Sequence, residues 1–497
     1  MASSSADLEQ QQQQSTVTDT DVEKSVLSTV PDPDVVDFEG PDDPMNPLNW
    51  TTSKKTVVVS LVSILTLLSS LSSSVFAPGI PQVIHDFGSK NTSIGSFTLT
   101  VFVIGYAFGP LGIAPLSEIY GRTPVYIVSC VFFVIFTICC AIAPSLASLI
   151  VFRLLAGFAG SCPLALGAGT VADVVRPESR GIAMAAYTAG PLLGPIIGPI
   201  GGGYLIQAQG WRWSFWVVSM AAGLVLIFTV FFLDETYKLA ILNKKTKKLR
   251  KETGNENLRS VLHTDLTHAQ VFRIAIVRPT KMLFMSPIIF SLSLFMFILY
   301  GYFYLMFTAI PGLFQNQYGF SPGQVGLTYL GLGVGSFVGL FLSGATSDRL
   351  VVYLKEKKNT ETKPEYRLPV LIAGTCLVPI GLFWIGWTAQ TLQHWILPTI
   401  GTGIVSVGVT LLFMASTTYL IDVYTTYAAS AVAASVVLRS LGGALLPLAG
   451  GPMFERLGLG WGNSLLAFIG LLMIPVPIAF YLYGERIRQK EAKSIKF

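Results

Sequence analysis

Arg439 stands in the run AVAASVVLRSLGGALLPLAG, 431–450, about ten residues into an apolar stretch. At helical rise that is roughly 15 Å, near the middle of a bilayer. A guanidinium stays charged and carries five donors in a planar fork, so its chemistry at such depth is recognition of anions or carbonyls. A charge there is costly and ordinarily faces a bundle interior or a wet cavity. Arg439 is therefore the first candidate for substrate binding or coupling. Arg153, in LIVFRLLAGF, lies only about six residues, roughly 9 Å, from one end of its stretch. It could snorkel to the interface, pack on carbonyls of neighbouring helices, or take part in coupling.

The acids are distributed differently. No Asp, Glu or His lies deep in any apolar stretch; Glu118, Asp173, Asp234, Asp348 and Asp422 all fall at ends. A deep arginine without a paired acid favours a neutral or anionic solute and disfavours polyamines and strongly cationic drugs. An enzyme is excluded on the same ground, since no ionisable cluster is available inside for acid–base work. The chain has no Walker loop, HExxH or Cys/His set, so no metal site and no cofactor are expected. The five cysteines all lie in apolar stretches and form no disulfide framework.

At one stretch end, Glu118 precedes Arg122 by four residues, a spacing that permits a pair able to latch and release. The alternative is an ordinary surface pair worth under about 1 kcal/mol. Asp348 and Arg349 recur at a matching place. Gly105, Gly109, Ser117 and Glu118 are answered by Gly335, Gly339, Ser347 and Asp348, each offset by 230 residues, which points to two parallel halves. Tyr300, Tyr304 and Phe307 share a helical face. Their hydroxyls could line a cavity for a ring-bearing ligand, although packing or lipid-facing aromatics are the simpler reading.

The elements that must position these groups are membrane helices. The chain is 52% hydrophobic and 12% charged, with a mean hydropathy of +0.60. Twelve apolar runs reach bilayer length, near 56–78, 94–116, 124–143, 147–171, 182–206, 213–234, 284–310, 323–346, 369–389, 394–419, 429–451 and 461–483. The longest polar gap follows the sixth run and carries eleven Lys or Arg against four acids. It reads as a basic linker able to touch anionic lipid. The expected organisation is a disordered acidic cytoplasmic tail over 1–53, a six-helix half over 54–234, a basic linker over 235–281, a second half over 282–484 and a basic tail over 485–497. No signal peptide is expected to open the chain. With both termini cytoplasmic, the inner segments hold 28 Lys or Arg and the outer ones three, Lys90, Arg212 and Arg456. The sequon at Asn91 then faces outward, where glycosylation is possible.

The run AYTAGPLLGPIIGPIGGGYL repeats Gly190, Gly194, Gly198 and Gly202 with Pro191, Pro195 and Pro199, both at every fourth residue. The glycines form a seam without side chains. Each proline would cost roughly 3 kcal/mol inside a helix in water. In a membrane bundle, neighbours can satisfy the freed carbonyls, and the seam lets another backbone approach.

Three motifs together resemble the major facilitator superfamily over nearly the whole chain after residue 50. GPLGIAPLSEIYGRTPVY, 109–126, is similar to the family's loop motif, with Glu118, Gly121 and Arg122 in place and Thr123 where a base is common. RLLAGFAGS, 153–161, is similar to its fourth-span motif. The Gly/Pro run is similar to its antiporter motif. PESRG, 177–181, and Asp234-Glu235-Thr236 agree with the fungal-type drug and metabolite exporters. The resemblance implies an all-α fold of twelve transmembrane helices in two six-helix halves. It implies secondary transport by alternating access, coupled to protons, with export of a small amphipathic metabolite, toxin or drug and a role in drug resistance. The expected partners are that solute and the bilayer of the plasma membrane, not nucleic acid, and a monomer suffices. Uptake of an organic acid or nutrient, and a non-transporting membrane sensor, are the alternatives.

Overall fold

The computed structural model describes residues 34–40, 42–89, 91–176, 179–262, 267–359 and 363–494. The glutamine run Gln10–Gln14, Lys90, the Pro177–Glu178 part of PESRG and the side chain of Asp348 lie outside the described residues. The described chain forms two compact units, Met1–Asn49 with Lys238–Asp265, and Trp50–Tyr237 with Leu266–Phe497.

The larger unit is a helical bundle. Its first half comprises α1 (Thr52–Ser74), α2 (Thr92–Tyr120), α3 (Arg122–Ala141), α4 (Leu146–Val174, interrupted at Ser161 before Pro163), α5 (Arg180–Gln209) and α6 (Trp211–Phe232). Its second half comprises α7 (Pro287–Tyr318), α8 (Pro322–Lys358), α9 (Leu368–Gln390), α10 (Ile396–Val423) and the continuous stretch Ala428–Met473. Eleven stretches among the described residues are long and apolar enough to cross a membrane. The last, Ser430–Glu491, runs for 62 residues. That is about 93 Å of helix, against a hydrocarbon core of about 30 Å.

Gly458 resolves the discrepancy. Its φ of 69° and ψ of 175° break the helix, and only glycine adopts that geometry freely. The chain reverses there, because a Cβ on Gly462 would lie 2.7 Å from the Phe454 ring. Eight helical residues would hold the two about 12 Å apart. The Gln390 side chain accepts from the amides of Leu459 and Gly460, at 3.0 and 3.2 Å, and caps the returning helix. The stretch is thus α11 (428–457) and α12 (459–473), with Pro475–Ser494 continuing beyond. Gly210 makes the same one-residue turn between α5 and α6 with φ 86°. Twelve passes among the described residues bring the start of α1 and the end of α12 to one face of the bundle, called here the terminal face.

The offset repeat has a packing cause. Gly105 and Gly109 let α2 press onto the backbone of α4 around Phe158, and Gly335 and Gly339 let α8 press onto α10 at Gly403 and Val407. The Gly/Pro helix α5 is clasped from two sides. Its seam lies on α1, where a Cβ on Gly190 would come within 2.9 Å of the Leu67 nitrogen and one on Gly202 would overlap the Val75 carbonyl. Pro199 frees the carbonyl of Pro195, and the Ser74 hydroxyl of α1 donates to that oxygen at 3.2 Å. On its other side α5 meets α8, where Gly326 approaches the Pro199 carbonyl. The halves also join through hydrogen bonds from Thr100 to the Ala444 carbonyl at 2.9 Å, Ser93 to Leu448 at 2.8 Å, Gln315 to Pro78 at 3.0 Å, and Gly323 N–H to Gln207 at 3.1 Å. These four lie toward the face opposite the chain ends.

The smaller unit departs from the expected disordered tail. Val35–Val36 pairs in parallel with Arg259–Ser260. Lys238–Thr253 is a helix. The cause is charge complementarity: the Lys245 ammonium lies 2.9 Å from Glu39 and 3.8 Å from Asp43 and donates to the Asp37 carbonyl at 3.2 Å. Asp43 also accepts from the backbone N–H of Glu39 at 2.8 Å and of Met45 at 2.7 Å. The Glu39 N–H, then that of Met45 and the Lys245 charge, hold the Asp43 carboxyl below its ordinary range against the opposing effect of burial. The linker also has structure from Thr267 onward. Thr267 and Gln270 form a capping box that starts the helix His268–Met285.

Candidate transport site

α11 brings Arg439 between two rings. Its guanidinium carbon lies 4.7 Å from the centroid of Tyr300 on α7 and 4.6 Å from that of Phe413 on α10. Both are cation–π distances. Two rings thus lie against one guanidinium. The buried Nε has no hydrogen-bond partner, and no ion pair to Arg439 occurs among the described residues. Arg439, Tyr300 and Phe413 are all half-buried. Tyr304, one turn along α7, is buried, with its ring 5.2 Å from that of Tyr300. Phe307 packs on Tyr329 at 5.4 Å. Of the three aromatics on the shared face, Tyr300 faces the arginine and the other two pack. Tyr106, on α2 of the opposite half, interacts with Tyr300 and Tyr304 and hydrogen-bonds Ser69 of α1. The site therefore draws on both halves.

Arg153 has a different environment. It is 1% exposed. It does not snorkel but turns inward, donating to the carbonyls of Ser72 at 2.7 Å, Ser73 at 2.9 Å, Thr98 at 3.2 Å and Leu99 at 3.2 Å. Phe76, Phe102 and Phe215 surround its guanidinium at 4.8, 4.6 and 5.8 Å. It ties the end of α1 and the start of α2 to α4.

At the terminal face the expected pairing shifts. Arg122 Nε meets Asp173 Oδ2 at 2.7 Å, and Arg122 also donates to the Leu166 carbonyl at 3.1 Å. Glu118 is exposed and senses Arg122 only through space. The physical reason is direction: Gly121, with φ 92°, turns the chain between α2 and α3 and sends Arg122 toward the end of α4. Glu235 receives the backbone N–H groups of Arg122 at 2.9 Å and Thr123 at 3.1 Å, capping α3. Burial, then the charge of Glu118, pushes the nearby Tyr237 phenol up.

The second half repeats this plan at the equivalent helix pair, six helices on. Arg367, at the start of α9, pairs with Asp422 at the end of α10 and donates to Ser347 at 3.2 Å. Arg349 is exposed. Lys363 meets Glu485 at 2.7 Å, a hydrogen bond that raises the ammonium above its usual value. Asn91 caps α2, its amide oxygen accepting from Ser93 at 3.0 Å and Ile94 at 3.3 Å, with the side chain exposed.

Sequence reasoning missed Phe413, Glu235 as a cap, and the role of the LSSLSSS run of α1. The serines gave the available signal: small side chains in series permit the close approach that Arg153, Tyr106 and α5 all use.

This geometry, two six-helix halves around a mid-bundle site, is that of a membrane transporter. Residues 62–447 match the Major Facilitator Superfamily, and the chain belongs to that family of transporters rather than to any enzyme family. Its relatives include the MFS-type transporter penM of Penicillium rubens, 56% identical over 94% of this chain and 92% of that one. The efflux pump radE of Floropilus chiversii is 46% identical over 94% of this chain and 87% of that one. Among solved structures, a partially occluded inward-open conformation of the E. coli xylose transporter XylE shares the fold, with a TM-score of 0.64 and 15% identity over 87% of this chain and 98% of that one.

Proposed function

We propose that this chain exports a small amphipathic organic compound, neutral or anionic, such as a secondary metabolite, toxin or drug, by alternating access driven by the proton gradient. The observation that carries this reading is the Arg439 guanidinium beside Tyr300 and Phe413, with an unpartnered Nε and no ion pair among the described residues. An anionic or strongly accepting group on the solute meets that guanidinium, and a cation is repelled. Outward direction draws support from the relative named as an efflux pump. The excess of Lys and Arg at the terminal face supports a cytoplasmic location for both termini, in the plasma membrane, with Asn91 outside and open to glycosylation. The hydrogen bonds between halves lie away from the terminal face and so favour the state open to the cytoplasm. Closing that side draws the motif of Glu118, Gly121 and Arg122, and its counterpart at Asp348 and Arg349, toward the opposite half, while α5 slides on its glycine contacts.

The test is transport in sealed vesicles with the proton gradient imposed each way, using a panel of amphipathic carboxylates and their neutral esters. Outward movement of carboxylates that collapses with the gradient and with Arg439→Ala is expected. Movement only inward would make the chain an uptake system. Binding without movement would make it a sensor.

A further inference from the structure

The helix Lys238–Thr253 carries its charges in two separated sets. Lys244, Lys247, Lys248 and Lys251 recur at i, i+3, i+4 and i+7, so they fall within an arc of about 100°. All four are exposed. The opposite side is packed, with Leu242 and Thr246 buried. The two flanking basic residues are engaged internally: Lys245 is held by Glu39 and Asp43, and Arg250 donates to the Leu258 carbonyl at 2.8 Å. Glu39 and Asp43 therefore act on the flank, beside the lysine stripe. Among the described residues, the ion pair on the stripe itself joins Lys248 to Glu252 at 3.7 Å, with side chains 78% and 55% exposed, a pair of little strength in water.

We infer that this stripe is a docking surface for anionic phospholipid headgroups of the leaflet on the linker's own face. Two observations select lipid over a soluble polyanion. Charge complementarity is the first: four ammonium groups on one face match a negatively charged plane, and lysine serves as a point charge toward phosphate. Continuity of the chain is the second. The helix begins six residues after α6 ends at Phe232. Extended linker plus helical rise places Lys244 within about 30 Å of the end of a membrane pass. The leaflet is thus held at high effective concentration beside the stripe, which a diffusing partner is not. The ordered 34–49 segment contributes by fixing the helix and keeping its acids off the lipid-facing side. Docking anchors the connection between the two halves at the surface.

The test uses the full chain in nanodiscs, with its five cysteines replaced and a spin label on Lys247→Cys. Discs are made from phosphatidylcholine alone or with about one-third phosphatidylserine. Accessibility to the neutral relaxer nickel-EDDA is expected to fall by about threefold with phosphatidylserine and to recover at about 0.5 M salt, where screening is nearly complete. In the additional variant K244Q/K248Q/K251Q, whose label mobility reports an unchanged helix, the fall should disappear. Equal accessibility in both discs would overturn the inference. So would a fall that persists in the glutamine variant or at high salt.

Discussion

Arg153 and Arg439 are the same residue type, each within an apolar helix, yet they meet the cost of a buried charge in different ways. Arg153 is closed off: it donates to four backbone carbonyls and has three rings around it. Arg439 has Tyr300 and Phe413 against its guanidinium and a buried Nε without a hydrogen-bond partner. The difference sets a structural pin against a candidate binding group. Donors spent on backbone carbonyls are not available to a solute, whereas a buried donor without a partner is costly until a partner meets it.

The largest expected effect tests the pin. Arg153→Ala strands four carbonyls and opens a cavity, at a cost on the order of 3–5 kcal/mol. Arg153→Lys should not rescue it, because three donors on one nitrogen cannot reproduce the fork. Thermal unfolding in detergent and the yield of monodisperse protein measure this. Arg439→Ala should behave oppositely. Its melting stays near that of the parent, while flux falls at least about tenfold, equivalent to about 1.4 kcal/mol. Equal destabilisation by the two substitutions would erase the contrast.

Neighbouring glycines sharpen the comparison at the level of packing. Gly202→Ala drives a methyl into the Val75 carbonyl of α1, whereas a methyl on Gly201 meets nothing within 4 Å. The first should cost about 1–3 kcal/mol and the second under about 0.5 kcal/mol, read as melting temperatures of the two variants. At the terminal face, a double-mutant cycle between Arg122 and Asp173 should give a coupling near 1 kcal/mol, and one between Arg122 and Glu118 close to zero. Comparable couplings would return the latch to Glu118.

Much of this was legible in the sequence because the bilayer imposes length and hydrophobicity on each pass. All twelve runs have helical counterparts, and the spacing of Gly190, Gly194, Gly198 and Gly202 foretold a seam against another backbone. The repeat of Gly105 and Gly109 at Gly335 and Gly339 likewise marked a packing relation. Residues 34–49 read as solvated tail because their order depends on Lys245, some two hundred positions away, and composition carries no record of such a partner. The pairing of Arg122 with Asp173 was hidden for a related reason. Spacing along a helix suggested Glu118, but the positive φ of Gly121 redirects the side chain. Phe413 completes the Arg439 clamp from a third helix, a contact that only the tertiary fold creates.

The account rests on Arg439 facing a water-filled slot between the halves, and thiol labelling tests it without knowing the solute. In a chain whose five cysteines are replaced by alanine, Arg439→Cys is exposed to a charged, membrane-impermeant methanethiosulfonate from the terminal face, with Lys355→Cys as the accessible reference. Modification of position 439 at a rate within about a hundredfold of the reference is the predicted result. A thiol at 439 that stays unmodified while position 355 reacts fully would contradict the account.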